Sequence, residues 1–70
     1  MNKLKYYMDK KNINIRSLAS LLLTNNKYII DIIYNKIRID IYILTRICII
    51  LDARRCDIFG NIETIGDREF

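Results

Sequence analysis

The fold of this chain is decided by residues 14–36, which read NIRSLASLLLTNNKYIIDIIYNK. Asparagine is a favoured N-cap residue, and Asn14 and Asn25 each precede a run with apolar residues at helical spacing. The first run has its predicted buried face at Leu18, Ala19, Leu21 and Leu22. The second extends from Asn26 to about Tyr34, and Asn35 suits the left-handed residue that ends a helix. The stretch therefore predicts two short helices joined by a tight turn, the second of them polar and basic at its start.

The residues before this stretch predict another helix. Leu4, Tyr7 and Met8 recur at the i, i+3, i+4 spacing of one helix face. This helix should run from about Lys3 to Lys11. Asn12 is expected to end it, because asparagine tolerates the left-handed conformation.

Two more helices are predicted after the central stretch. Asp40 can cap the fourth, and its apolar positions recur at helical spacing: Ile41, Leu44, Ile47, Cys48 and Leu51. Residues 54–59 predict a fifth helix, which Gly60 stops. The alternation across residues 37–43 is the most strand-like in the chain, but we interpret it as a loop followed by a helix. Residues 61–70 form a tail that could be extended or disordered.

The predicted fold class is therefore all-α, a compact five-helix domain over residues 1–60. Seventy residues make at most one domain, and apolar residues form 51% of the chain. The sequence has no proline and two glycines, so its turns depend on Asn and Asp.

Charge is distributed unevenly along the chain. The net charge is +4. Residues 1–40 hold eight basic and three acidic residues, a balance of +5, whereas residues 41–70 hold four and five, a balance of −1. An anionic partner should therefore meet the first part, although ordinary solubilising charge explains +4 about equally well. Arg46, Arg54 and Arg55 are expected to be solvated helix charges.

The cysteine pattern gives no metal site and no disulfide framework. Cys48 lies in an apolar run and is expected to be a small core residue, while Cys56 is expected to be a partly exposed thiol. The chain has no histidine to complete a zinc site. Two reduced cysteines and the lack of an N-terminal apolar segment typical of a signal peptide favour a cytoplasmic protein. Residues 41–51 are too short to span a bilayer, so no membrane association is expected.

No catalytic constellation is present in the sequence. There is no histidine, no carboxylate pair beside a plausible nucleophile and no glycine-rich phosphate loop. We therefore expect neither an enzyme nor a bound cofactor.

Two helices joined by a tight turn, with a basic second helix, match the layout of a helix-turn-helix, which places its second helix in the DNA major groove. The landmarks occur in the following order: Leu18-Ala19, Asn25, Ile29, Ile32, Asn35-Lys36, Asp40-Ile41, Leu44, Ile47-Cys48, Leu51-Asp52 and Asp57-Ile58-Phe59. Over about residues 3–60, this set resembles the phage-repressor (Cro/Xre-type) helix-turn-helix family. The resemblance implies a sequence-specific transcription regulator, typically a repressor, that binds double-stranded DNA as a homodimer.

The sequence departs from this family at two positions. Leu23 stands where the family has a turn glycine, so the turn is built without a residue that readily accepts positive φ. Ile15 stands where the family usually has a glutamine that touches a phosphate.

Nine residues are candidates for DNA contact: Arg16, Asn25, Asn26, Lys27, Tyr28, Asp31, Tyr34, Lys36 and Arg38. Asn26 and Lys27 follow the cap and are placed to reach base edges, adenine for Asn and guanine or phosphate for Lys. Asp31 can accept from cytosine, repel phosphate or pair with Lys27 at i, i+4. The remaining cations and tyrosines suit phosphate contacts, which position a protein on DNA.

The register of the third helix decides which isoleucines are buried. We expect Ile29 and Ile32 to face inward with Leu18 and Ala19, packed against Leu44, Ile47 and Leu51 of the fourth helix. Ile30 and Ile33 would then lie on or beside the outward face; a shift by one residue would bury them instead. An exposed apolar pair favours the alternative function, a helix-turn-helix scaffold that binds a protein partner with little DNA readout.

Overall fold

A computed structural model describes residues 1–60, and these residues form five α-helices and no β-strand. The helices are α1 Leu4–Lys10, α2 Ile15–Leu21, α3 Asn26–Ile33, α4 Ile41–Leu51 and α5 Arg55–Phe59. The predicted all-α class is confirmed, and residues 37–40 form a loop that leads into α4, as interpreted from the sequence. The prediction for the tail, residues 61–70, lies outside the described residues.

Three helices begin at the predicted cap residues. The Asn14 side chain accepts a hydrogen bond from the Ser17 amide at 2.7 Å, and the Asn25 side chain accepts one from the Tyr28 amide at 2.9 Å. At the start of α4, Asp40 accepts from the Tyr42 amide at 2.7 Å. Each bond satisfies a backbone donor that the first turn of a helix leaves without a partner.

The first four helices end on residues in the left-handed conformation, none of them glycine: Asn12 (φ 56°), Leu23 (φ 57°), Asn35 (φ 58°) and Asp52 (φ 50°). At the end of α2, the amides of Leu23 and Thr24 donate to the carbonyls of Ser20 and Ala19 at 3.1 and 2.9 Å. This pair of bonds is the Schellman arrangement, which satisfies the last carbonyls of a helix. The left-handed ending predicted at Asn35 is confirmed.

Leu23 combines a left-handed backbone with a side chain that is 87% exposed. The left-handed region costs an L-residue roughly 1–2 kcal/mol, while glycine loses about 0.5–1 kcal/mol in backbone entropy on folding. Because so little of the leucine is buried, Leu23→Gly should stabilise the fold by about 0.5–1 kcal/mol in urea unfolding. Leu23→Ala, which keeps the strain, is the control. If Leu23→Gly and Leu23→Ala have equal free energies of unfolding, the left-handed backbone at this position is not strained.

All five helices contribute to one core. The seven predicted inward residues are buried, namely Leu18, Ala19, Ile29, Ile32, Leu44, Ile47 and Leu51. The core also contains Leu4 and Met8 of α1, Leu22 at the end of α2, Ile33 of α3, Ile39 of the loop before α4, and Ile58 and Phe59 of α5. The register chosen for α3 is therefore confirmed, and the shifted alternative is wrong.

Two predicted orientations are wrong. Leu21, assigned to the buried face of α2, is 50% exposed, and Ile33, placed on or beside the outward face of α3, is 4% exposed. In α3, Ile33 completes an i, i+3, i+4 stripe with Ile29 and Ile32, and the chain start crosses that end of the helix. There the Asn2 amide donates to the Ile33 carbonyl at 3.3 Å. Leu21 lies outside the face of α2 on which Leu18 and Leu22 are buried.

Candidate nucleic-acid interface

The solvent-facing side of α3 is a narrow strip of mixed chemistry. Asn26, Lys27, Ile30 and Tyr34 are exposed, and at 3.6 residues per turn they share one side of the helix. We call these four residues the outer face of α3. The opposite side carries the buried isoleucines, so the core holds the helix in a single rotational setting.

Asn25, which caps α3, and Tyr28, in its first turn, both have structural partners. Asn25 uses its side-chain oxygen as the N-cap, which leaves its amide nitrogen outside the cap. Tyr28 packs partly buried against the core, and the backbone of Asp40 makes a hydrogen bond with it. Burial raises the pKa of the Tyr28 hydroxyl above its ordinary value. Tyr28 thus joins α3 to the start of α4 and lies away from the outer face.

Lys27 and Asp31 form an ion pair, with 2.8 Å between the lysine Nζ and a carboxylate oxygen. The Lys27 side chain is 84% exposed, whereas the Asp31 side chain is only 16% exposed. Asp31 is thus placed as an anchor for Lys27 rather than as an outward reader of bases. The pairing reduces the charge that this part of α3 offers to a polyanion.

The remaining candidates flank α3 in the chain. Arg16 is exposed in the first turn of α2. Lys36 and Arg38 are exposed in the loop between α3 and α4, directly after the Asn35 turn. Basic side chains on loops beside an inserted helix are suited to phosphate contacts.

Two residues that position the α2–α3 unit were not predicted from the sequence. Arg46, expected to be a solvated charge, donates from Nη2 to the Leu21 carbonyl at 2.9 Å, which ties the end of α2 to α4. Asn2 donates to the Ile32 carbonyl at 2.8 Å and to the Asn35 side chain at 3.0 Å, which ties the chain start to the end of α3. No local pattern marks either contact, because the partners are 25 to 33 residues apart.

A second surface feature of residues 1–60 lies between α4 and α5. An open groove of about 660 Å³ is bordered by Cys48 of α4 and Asp57 of α5. Hydrogen bonds from Arg54 lower the pKa of the Asp57 carboxyl, and partial burial raises the pKa of the Cys48 thiol. Cys48 is therefore a poor nucleophile at neutral pH. Cys56 is exposed, as predicted.

Within the part of the chain that is described, no three His, Cys, Asp or Glu side chains come together as a metal site. No helix between residues 1 and 60 combines the length and the apolar character needed to cross a bilayer. No family model matches the chain, and no curated protein matches it either.

Proposed function

We propose that this protein is a small sequence-specific DNA-binding regulator of transcription that inserts α3 into the major groove. The observation that carries the proposal is the outer face of α3. Asn26 and Lys27 lie exposed in the first turn of a helix whose other side is buried. First-turn side chains of a recognition helix are the ones that reach base edges.

The rigidity of the α2–α3 unit supports this function. The turn between the two helices is closed by the paired backbone bonds at Leu23 and Thr24. Arg46 fastens the end of α2, and Tyr28 fastens α3 to the start of α4. A recognition helix whose position is fixed by such contacts loses little conformational entropy when it binds DNA, and this favours affinity.

The charge distribution supports the same partner. Residues 1–40 carry a net charge of +5 from eight basic and three acidic residues. Exposed cations that precede and follow α3 in the chain, Arg16 and Lys36, are suited to phosphates. By resemblance to phage-repressor proteins, the protein would occupy a palindromic operator as a homodimer.

Salt-dependent binding tests the proposal. Duplexes selected from random DNA should bind with a log–log salt slope of about −0.9 for each phosphate neutralised. Lys36→Ala should weaken binding to all duplexes alike and make the slope shallower by about one contact. Asp31→Asn should strengthen binding to all duplexes, because it releases Lys27 and removes a negative charge.

Lys11→Ala is the matched control for these charge changes. The Lys11 Nζ lies 4.0 Å from Asp52, at the C-terminal end of α4, whereas Tyr28 of α3 contacts Asp40 at the N-terminal end. Removal of the Lys11 charge should therefore leave the salt dependence of DNA binding unchanged. Binding that does not depend on salt, or an effect of Lys11→Ala equal to that of Lys36→Ala, would contradict the proposed surface.

A second candidate function is binding of a protein partner. It is favoured by exposed leucines at the end of α2 and in the turn, Leu21 (50% exposed) and Leu23 (87% exposed). Binding of a protein partner through the isoleucines of α3 is less well supported, because Ile33 is buried and only Ile30 of that pair is exposed. If Lys36→Ala has no effect on DNA while Leu23→Asp abolishes a protein interaction, the second candidate replaces the first.

A further inference from the structure

Three residues of the outer face form a single line along α3. Asn26, Ile30 and Tyr34 follow one another at intervals of four residues, and all three are exposed. With a rise of 1.5 Å per residue, Asn26 and Ile30 are separated by about 6 Å along the helix axis. That separation corresponds to roughly two base-pair steps of about 3.4 Å.

Ile30 is an unusual residue for a surface that should read a polar groove. Ile30 is 39% exposed, so an apolar group reaches solvent on this face. A β-branched side chain also has one strongly preferred χ1 rotamer in a helix, which limits the positions that its methyl groups can take. In the major groove, the apolar group that matches such a side chain is the 5-methyl of thymine.

The charged neighbour of Ile30 is restrained. Lys27, the cation of the outer face, is held by Asp31 at 2.8 Å. Because the Lys27 side chain stays 84% exposed, this pair is weak and offsets only part of the charge offered to guanine O6 and N7. Asn26 is suited to adenine, because its amide matches the N6 and N7 groups of that base. Asn26 and Ile30 therefore both match groups that A·T pairs present in the major groove.

We propose that Ile30 is a specificity-determining residue that recognises a thymine methyl, within about two base pairs of an A·T pair contacted by Asn26. This inference rests on the proposed function and names its substrate class, duplexes rich in A·T at the half-site. Contact between the methyl and Ile30 removes apolar surface of both from water, and this favours binding.

Replacing thymine with deoxyuridine deletes the 5-methyl and leaves the hydrogen-bonding groups of the pair unchanged. In the best duplex selected from random DNA, each thymine is replaced in turn, and affinity is measured at fixed salt. One replacement per half-site should weaken binding by the wild-type protein about four-fold, as expected for one buried methyl-sized group. Ile30→Ala should bind the thymine and uracil duplexes equally, whereas Ile30→Val should retain the preference.

Ile49→Ala is the control, since it removes an apolar side chain that is 73% exposed on α4 and should leave the preference for thymine unchanged. If uracil has no effect at any position while selection and salt dependence hold, Ile30 does not recognise a methyl and the proposed function stands. If Ile30→Ala keeps the preference, another residue makes the contact and the inference is wrong. If no duplex binds with salt dependence, the proposed function itself fails.

Discussion

Ile33→Asp is expected to unfold the protein, whereas Ile30→Asp leaves it folded. The two isoleucines are three residues apart on α3, but Ile33 is 4% exposed and Ile30 is 39% exposed. An aspartate at position 33 would place a charge in a cluster of buried apolar side chains. Such a change is expected to cost at least about 4 kcal/mol, a large part of the stability of a small domain. Far-ultraviolet circular dichroism and urea unfolding measure the difference.

Ile33→Val separates loss of volume from introduction of charge. It should cost only about 0.5–1.5 kcal/mol, because it removes one methylene from the packed site. A folded Ile33→Asp variant as stable as Ile30→Asp would contradict the packing of α3 described here. If the expected result holds, Ile30→Asp is the variant that can test protein binding through α3, since Ile33→Asp would act through unfolding.

Ile47→Ala should cost about 2–5 kcal/mol, whereas Ile49→Ala should change the free energy of unfolding by less than about 0.5 kcal/mol. Both isoleucines lie on α4 and lose the same atoms. Ile47 is fully buried at the centre of the core, and Ile49 is 73% exposed. The alanine at position 47 leaves a cavity that the surrounding helices fill only in part. The midpoints and slopes of urea unfolding measure both changes.

Ile47→Val is the graded variant, with an expected loss of about 0.5–1.5 kcal/mol. It keeps the measurement informative if Ile47→Ala is too unstable to give a folded baseline. Equal losses at positions 47 and 49 would show that α4 is rotated from the position described here.

The helix boundaries were predictable because they depend on local chemistry. The Asn14 and Asn25 side chains bond amides three residues on, and Asp40 bonds an amide two residues on. Asn35 ends α3 through its own backbone angle. The i, i+4 pairing of Lys27 with Asp31 was also open to prediction, since both lie on one helix. Interactions of this kind need no knowledge of where other helices lie.

The candidate site was predictable only in part. The positions of Asn26 and Lys27 follow from the cap and the helix period, and both are exposed. Tyr28 follows them in the sequence, but it is hydrogen-bonded to the backbone of Asp40, the residue that caps α4. Spacing along one helix therefore identified candidate side chains, but it did not show which of them have partners elsewhere in the chain.

By itself, the sequence determined five helices, the capped starts of α2, α3 and α4, and the burial of Ile29 and Ile32. These features depend on contacts between residues a few positions apart and on the helix period. Only the tertiary structure decided that Ile33 is buried and Leu21 exposed, and that Arg46 and Asn2 hold the ends of α2 and α3. For a residue at the edge of the apolar face of a helix, burial depends on which neighbouring segment covers that residue. That segment comes from a distant part of the chain, and its position follows from packing the whole core.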